Sequence, residues 1–300
     1  MSAEEVRTVT ELLRSSRGAM DALSWDERRA AMEAGTAFFP LAEGVALREA
    51  RAGSVPVEWQ ARTDATDDAA LMYLHGGGYA IGSIASHRAL TTSIAATFNG
   101  QVLSVAYRLA PEDPCPAGLE DAVTAYRYLL DQGIEGSRIV IAGDSAGGGL
   151  AIAALQAIRD AGLPRPAGAW VLSPWVDMTA TSETMSLKAD DDMMIAAANV
   201  KDTAAIYAPR GDAADPRATP LNGRFDGLPP LFIQVGTSET LLDDSLTLAR
   251  KAALANVDVR LETWAYQQHV FQMFALMMSE ARDAIAAGIA WANDRIRVTL

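Results

Sequence analysis

Cysteine occurs once in 300 residues, at position 115, and histidine three times, at 75, 87 and 269. A lone thiol excludes an intrachain disulfide, which fits a reducing compartment and sets the expectation of a cytoplasmic protein. One Cys and three scattered His offer no zinc-ligand spacing, so no metal and no organic cofactor is expected. Cations are also scarce: Lys and Arg total 25 against 38 Asp and Glu, a net charge of −13. Nucleic acid and anionic membrane surfaces both need clustered positive charge, so neither is an expected partner. A small neutral molecule is. No apolar run approaches the roughly 20 residues that span a bilayer. The opening MSAEEVRTVTELL has no apolar core of a secretory signal. Repeats, low-complexity tracts and long linkers are missing as well.

What is present is core-forming material. Half the chain is hydrophobic, enough for one large α/β domain or two small ones. The first forty residues read as amphipathic helix: Val6, Val9, Leu12 and Leu13 recur at helical spacing, Ala19, Met20 and Leu23 follow, and Pro40 ends the region. Short strand-like segments come next, at 45–50, 55–61 and 70–74. The pattern then alternates. Strands are predicted at 101–106, 138–142, 168–172, 231–235 and 257–263, and helices at 118–130, 147–161 and 269–296. Alternating βα units with apolar strands predict a mostly parallel sheet covered on both faces. Residues 180–217 break the rhythm. That stretch leaves the C-terminal edge of a strand, where open α/β sheets bind ligands, and is expected to help form a lid.

Residues 143–147 read Gly-Asp-Ser-Ala-Gly, between the apolar run RIVIA and a helical stretch. This is the strand–turn–helix context of a nucleophile elbow, with Ser145 at the turn. Gly143 and Gly147 fit because elements this close leave no room for a Cβ. The turn also puts the seryl oxygen at a helix N-terminus, where N–H groups and the macrodipole favour developing negative charge. A phosphate-binding loop would need Gly-Lys-Ser/Thr, which is not there. Residues 75–78 read His-Gly-Gly-Gly directly after ALMYL. Glycines let the backbone approach a carbonyl and aim its N–H groups inward. Gly77, Gly78 and Ala146 are the candidate oxyanion donors, with Gly76 shaping the loop.

His75 belongs to the glycine loop and His87 to the helix after it. His269 remains as the general base, placed after the last strand as the order Ser, acid, His requires. Its acid must lie near the end of strand LFIQVG, where Glu239, Asp243 and Asp244 compete. A helix is predicted to begin near Ser238, since Leu242, Leu246, Ala249 and Ala253 share a face. Glu239 then sits at the strand–helix junction. Asp243 and Asp244 fall at least a turn further on, with charge near the helix N-terminus or loop bracing as their alternative roles.

With HGGG, GDSAGG and a late acid and histidine, the chain resembles the hormone-sensitive-lipase-like family, the bacterial family IV esterases. YRLAPEDPCPAGLEDA at 107–122, SPWVDMT at 173–179 and GLPPLFIQVG at 227–236 carry the resemblance further, over roughly residues 45–290. It implies an α/β-hydrolase fold with an eight-stranded sheet. The cap would come from residues 1–44 with a contribution from 180–217, over a catalytic unit at 45–300. It places the family's acid on Glu239, where Asp is usual, and a bracing acid on Asp243. Asp113 and Cys115 stand where the family more often has His and an aromatic. The implied activity is hydrolysis of short- to medium-chain carboxylic esters through an acyl-enzyme. A lactone hydrolase, a peptidase or thioesterase, and a non-catalytic small-molecule receptor are the alternatives. The receptor reading predicts a damaged triad, whereas Ser145 and His269 are both in place. The last strand, expected at a sheet edge, suggests a homodimer.

Overall fold

The computed structural model describes residues 2–209 and 212–297. Met1, positions 210 and 211 of the expected lid segment, and positions 298–300 of the expected catalytic unit lie outside the described residues.

Eight strands form one sheet in the order β1-β2-β4-β3-β5-β6-β7-β8. They are β1 Val45–Ala52, β2 Val55–Arg62, β3 Ala70–Leu74, β4 Gln101–Val105, β5 Ile139–Asp144, β6 Gly168–Leu172, β7 Leu231–Gly236 and β8 Val259–Trp264. β2 runs antiparallel to β1 and β4, and every later pairing is parallel. The central strands β3, β5, β6 and β7 are buried along their whole length. Their sequences are accordingly apolar throughout, because helices cover both faces. The two-residue period divides the core. Met72, Leu74, Ile139 and Ile141 face one layer, and Leu71, Tyr73, Val140 and Ala142 the other.

The helices are α1 Ala3–Ser16, α2 Trp25–Thr36, α3 Ile84–Ala95, α4 Ala117–Asp131, α5 Ser145–Asp160, α6 Thr184–Leu187, α7 Ala197–Tyr207, α8 Leu242–Leu254 and α9 Ser279–Arg295. α4, α5 and α8 supply the first core layer, and α3 and α9 the second. α9 settles onto β6 because Gly288 leaves room: a Cβ there would run into the Trp170 ring. α2 begins at a capping box. Ser24 Oγ accepts the Glu27 N–H and Glu27 Oε2 accepts the Ser24 N–H.

Three sequence expectations shift. The final helix does not start at His269: Val270 has φ 47, a 3₁₀ turn covers Phe271–Phe274, and α9 begins only at Ser279. The left-handed residue breaks helical continuity despite favourable side-chain periodicity. The helix predicted from Ser238 begins at Leu242, because Glu239 spends its carboxylate on the preceding turn. In the segment between β6 and β7, DDMMIAAANVKDTAAIYA at 191–208 reads as helical throughout, but helix α7 occupies only Ala197–Tyr207, and the stretch at 191–195 is non-helical and tied down by side-chain hydrogen bonds. Among the described residues no helix is long and apolar enough to cross a membrane.

Candidate active site

The site forms along the C-terminal ends of β3, β5, β6 and β7. Ser145 is the first residue of α5, and its φ of 51 marks the strained turn expected of an elbow. The strain persists because neighbouring backbone closes around it. A Cβ on Gly147 would strike the carbonyl oxygens of Leu74 and His75. Glycine is what lets α5 start directly beneath the end of β3.

His269 follows β8 on a short loop. Its Nδ1 donates to Glu239 Oε2 at 2.8 Å. Nε2 of the same ring is buried and has no hydrogen-bond partner among the described residues. Burial works against a charged ring here, but the Glu239 charge and hydrogen bond outweigh it, and the His269 pKa is raised above its ordinary 6.5. Glu239 is fully buried. Its second oxygen, Oε1, accepts the Gly236 N–H at 2.6 Å and the Ser173 hydroxyl at 2.7 Å. These donors orient the carboxylate and satisfy it away from water.

Of the competing acids, Asp243 points elsewhere: its Oδ2 accepts the Thr184 N–H at 3.0 Å, at the start of α6. Asp244 is the buried brace. Its Oδ2 accepts the N–H groups of Val176 and Asp177 at 2.8 and 3.0 Å, holding the loop after β6.

The glycine loop crosses beside Ser145. Gly77 and Gly78 have φ 112 and 61, and their N–H groups meet no acceptor among the described residues. Ala146, in the first turn of α5, has no intrahelical acceptor in reach of its N–H. Gly76 differs: its N–H donates to Asp144 Oδ1 at 3.0 Å, so it shapes the loop and is already committed.

Asp144 is one of the residues that sequence reasoning passed over. Tyr73 donates its hydroxyl to Oδ1 at 2.8 Å, and His87 Nε2 lies 3.3 Å from Oδ2. Burial alone would raise its pKa. His87, Tyr73 and His75 together more than offset that and hold the carboxyl below its ordinary value. His75 stacks on Tyr107 with ring centroids 4.4 Å apart, and its Nδ1 donates to Gly76 O at 2.8 Å. Burial and the neighbouring His87 lower its pKa to about 4, so it is neutral near pH 7. Ser173, Asp192 and Gln268 were also missed. Asp192 and Gln268 lie in no motif, and Ser173 opens SPWVDMT without its role being readable there, since each acts on residues distant in sequence.

Ser145, His269, Gly77 and Gly78 open into a cavity of about 510 Å³. Its walls come from α1 and α2 (Leu13, Trp25, Met32), from α7 and the preceding loop (Met194, Val200), and from Met273 after the histidine. Asn199 Nδ2 donates to Asp21 Oδ1 at 2.9 Å, joining α7 to the connection between α1 and α2.

A sheet of this topology with a nucleophile elbow at β5 defines an α/β hydrolase. The family described by the alpha/beta hydrolase fold matches residues 71–273. An acetyl-hydrolase of Streptomyces hygroscopicus is 42% identical over 233 residues, covering 78% of each chain. A crystal structure of an esterase from the bacterial hormone-sensitive lipase family superposes with a TM-score of 0.95 at 41% identity, over 99% of this chain and 100% of that one. A structure of EstE5 soaked with p-nitrophenyl butyrate gives 0.94 at 38% identity, over 98% and 99%. The chain belongs to the α/β-hydrolase family, in its hormone-sensitive-lipase-like branch.

Proposed function

We propose that this carboxylic ester hydrolase works through a Ser145–His269–Glu239 triad and an acyl-enzyme. The observation that carries the reading is the 2.8 Å bond from His269 Nδ1 to Glu239. It fixes the ring tautomer so that Nε2 carries the lone pair, on a residue that lines the same cavity as Ser145. In this reading Ser145 Oγ attacks the ester carbonyl carbon while Nε2 takes its proton. Glu239 stabilises the resulting imidazolium. The N–H groups of Gly77, Gly78 and Ala146 receive the oxyanion, each worth roughly 3–4 kcal/mol of transition-state stabilisation. Collapse of the tetrahedral species expels the alcohol, which takes the proton from Nε2. Water then attacks the acyl-enzyme with His269 again as base, releasing the acid and free Ser145.

The substrate proposed is a neutral ester with an acyl chain of about two to eight carbons, a size suited to a largely apolar cavity capped by helices. α1, α2 and α7 are the cap in this reading. The names of the acetyl-hydrolase and the butyrate-soaked structure are in keeping with short acyl groups. The test is hydrolysis of p-nitrophenyl esters of increasing chain length by the wild type and by Ser145→Ala. Turnover should peak among the short and medium chains and vanish in the variant. Wild-type turnover by Ser145→Ala, free of host esterases, would sink the assignment, and a preference for emulsified long-chain triglyceride would sink the substrate class.

A further inference from the structure

Asp192 lies between β6 and β7, outside the triad, and is fully buried. No Lys or Arg pairs with it among the described residues. Its two oxygens instead hold four neutral donors, and they serve different parts of the molecule. Oδ2 accepts the N–H of Thr240 at 2.8 Å and its hydroxyl at 3.0 Å. Thr240 directly follows Glu239. Oδ1 accepts the N–H groups of Met194 and Ile195 at 2.9 and 2.8 Å, and both residues line the cavity that Ser145 opens into. Gln268, directly before His269, grips the same short stretch. Its Oε1 accepts the Met193 N–H at 2.8 Å and its Nε2 donates to Asp191 O at 3.0 Å.

Residues 191–195 are therefore fastened at two points, one beside the proposed acid and one beside the proposed base. A surface loop that only needed anchoring would not require an ionisable group sealed from water, where an unpaired charge is costly. Charge-assisted bonds to four donors make the fastening strong and directional. We propose that Asp192 is a positioning residue of the reaction, tying the pocket wall at 193–195 to the turn that carries Glu239 and so setting the carboxylate against His269. The inference rests on the triad reading above. It also makes Met194 and Ile195 part of a rigid wall, so that the shape offered to the substrate and the geometry of the acid–base pair are set by the same side chain.

A merely structural anchor and a positioning carboxylate differ in what they do to the base. Three carboxylates face His269 from the elements packed around it: Glu239 after β7, Asp192 from the β6–β7 segment and Asp144 at the end of β5. Burial disfavours the charged ring, and all three oppose that effect. Loss of the Asp192 charge therefore makes His269 easier to deprotonate, whereas loosening the loop alone does not.

The experiment compares Asp192→Asn, Thr240→Val and Glu239→Gln with the wild type on p-nitrophenyl butyrate. It measures kcat, KM and the pH profile of kcat/KM, with thermal melting followed by circular dichroism. Asp192→Asn should lower kcat by about 10- to 100-fold, the scale of a misplaced catalytic group, and move the acidic limb to lower pH. Thr240→Val removes one bond but keeps the charge. It should lower kcat less and leave the limb in place. Wild-type kcat and limb in Asp192→Asn would overturn the inference. If that variant does not fold, Thr240→Val decides: reduced kcat at an unchanged melting temperature supports the positioning role, and unchanged kcat overturns it. Full turnover by Glu239→Gln would instead overturn the triad reading itself.

Discussion

Ser173 and Glu239, 66 positions apart, meet through a 2.7 Å hydrogen bond from the serine hydroxyl to Oε1 of the glutamate. The same hydroxyl accepts the N–H of Val270 at 3.2 Å. One small side chain thus spans the loop after β6, the acid and the residue after His269. Ser173→Ala should leave the Val270 N–H unpaired in a buried site and cost about 1–3 kcal/mol of stability. It should lower kcat as well, because Glu239 loses one of its orienting donors. Urea unfolding and steady-state kinetics on one preparation check both, and wild-type values in both would refute the role.

The three neighbouring acids should separate cleanly by mutation. Glu239→Gln should reduce turnover by up to about 10⁴-fold, as loss of the histidine's orientation does in a comparable serine triad. Asp243→Asn, whose carboxylate accepts the Thr184 N–H at the start of α6, should change kcat little. Asp244→Ala should act on stability, losing about 1–3 kcal/mol as the buried Val176 N–H and the half-buried Asp177 N–H lose their acceptor. Turnover numbers and melting temperatures for the three variants decide the ranking. A larger kcat loss in Asp243→Asn than in Glu239→Gln would reverse the assignment.

In the proposed mechanism His269 acts as a base only when neutral, and its pKa lies above 6.5 because Glu239, with smaller contributions from Asp192 and Asp144, outweighs the effect of burial. Activity is therefore present at the alkaline side and lost as pH falls through that raised value. The acidic limb of kcat/KM should have its midpoint above 6.5, not below. Glu239→Gln removes the main raising influence, so its residual activity should titrate at lower pH. A pH series with an uncharged ester tests both statements.

Gly77→Ala should inactivate with little loss of substrate binding. The position has φ 112, and a Cβ there would collide with the Ile81 carbonyl. The loop must shift, and with it the N–H groups offered to the oxyanion. A loss of about 2.7–4 kcal/mol in transition-state stabilisation is expected for each donor removed. A kcat within twofold of the wild type, with the protein folded, would show that the loop is not the oxyanion site.

β8 is the last strand of the sheet, with a neighbour on one side only. Such an edge presents unpaired N–H and C=O groups to a second strand. A homodimer paired through β8 is expected at micromolar concentration. Light scattering should give twice the monomer mass, and Leu261→Pro should return it to the monomer. A monomer mass in the wild type refutes the pairing.

Much of this molecule is legible along the chain because its chemistry is local. The Gly-Asp-Ser-Ala-Gly turn and the His-Gly-Gly-Gly loop are each a short contiguous motif, although the backbone that crowds Gly147 comes from Leu74 and His75. The parallel core announces itself in strands such as ALMYL, buried on both faces. The strand end at Gly236 and the helix phase single out Glu239 as the candidate acid ahead of Asp243 and Asp244, although the helix begins four residues later than that phase suggests. The break after His269 was hidden, since a left-handed Val270 leaves the helical periodicity of the following residues intact.

What the linear order could not disclose are the contacts that join distant segments. Ser173 on Glu239, His87 beside Asp144 and Asp192 on Thr240 each link residues 48 to 66 positions apart. None has a spacing rule, because a hydrogen bond between loops depends on where the sheet brings its strand ends together. The sequence by itself determined the candidate nucleophile and base, the glycine loop and the layered sheet, since contiguous motifs, chain order and hydrophobic periodicity suffice for them. The tertiary structure alone decided which carboxylate holds the histidine, which acids brace loops and which residues wall the cavity. Those choices turn on the direction of a few buried side chains, which only the packed fold sets.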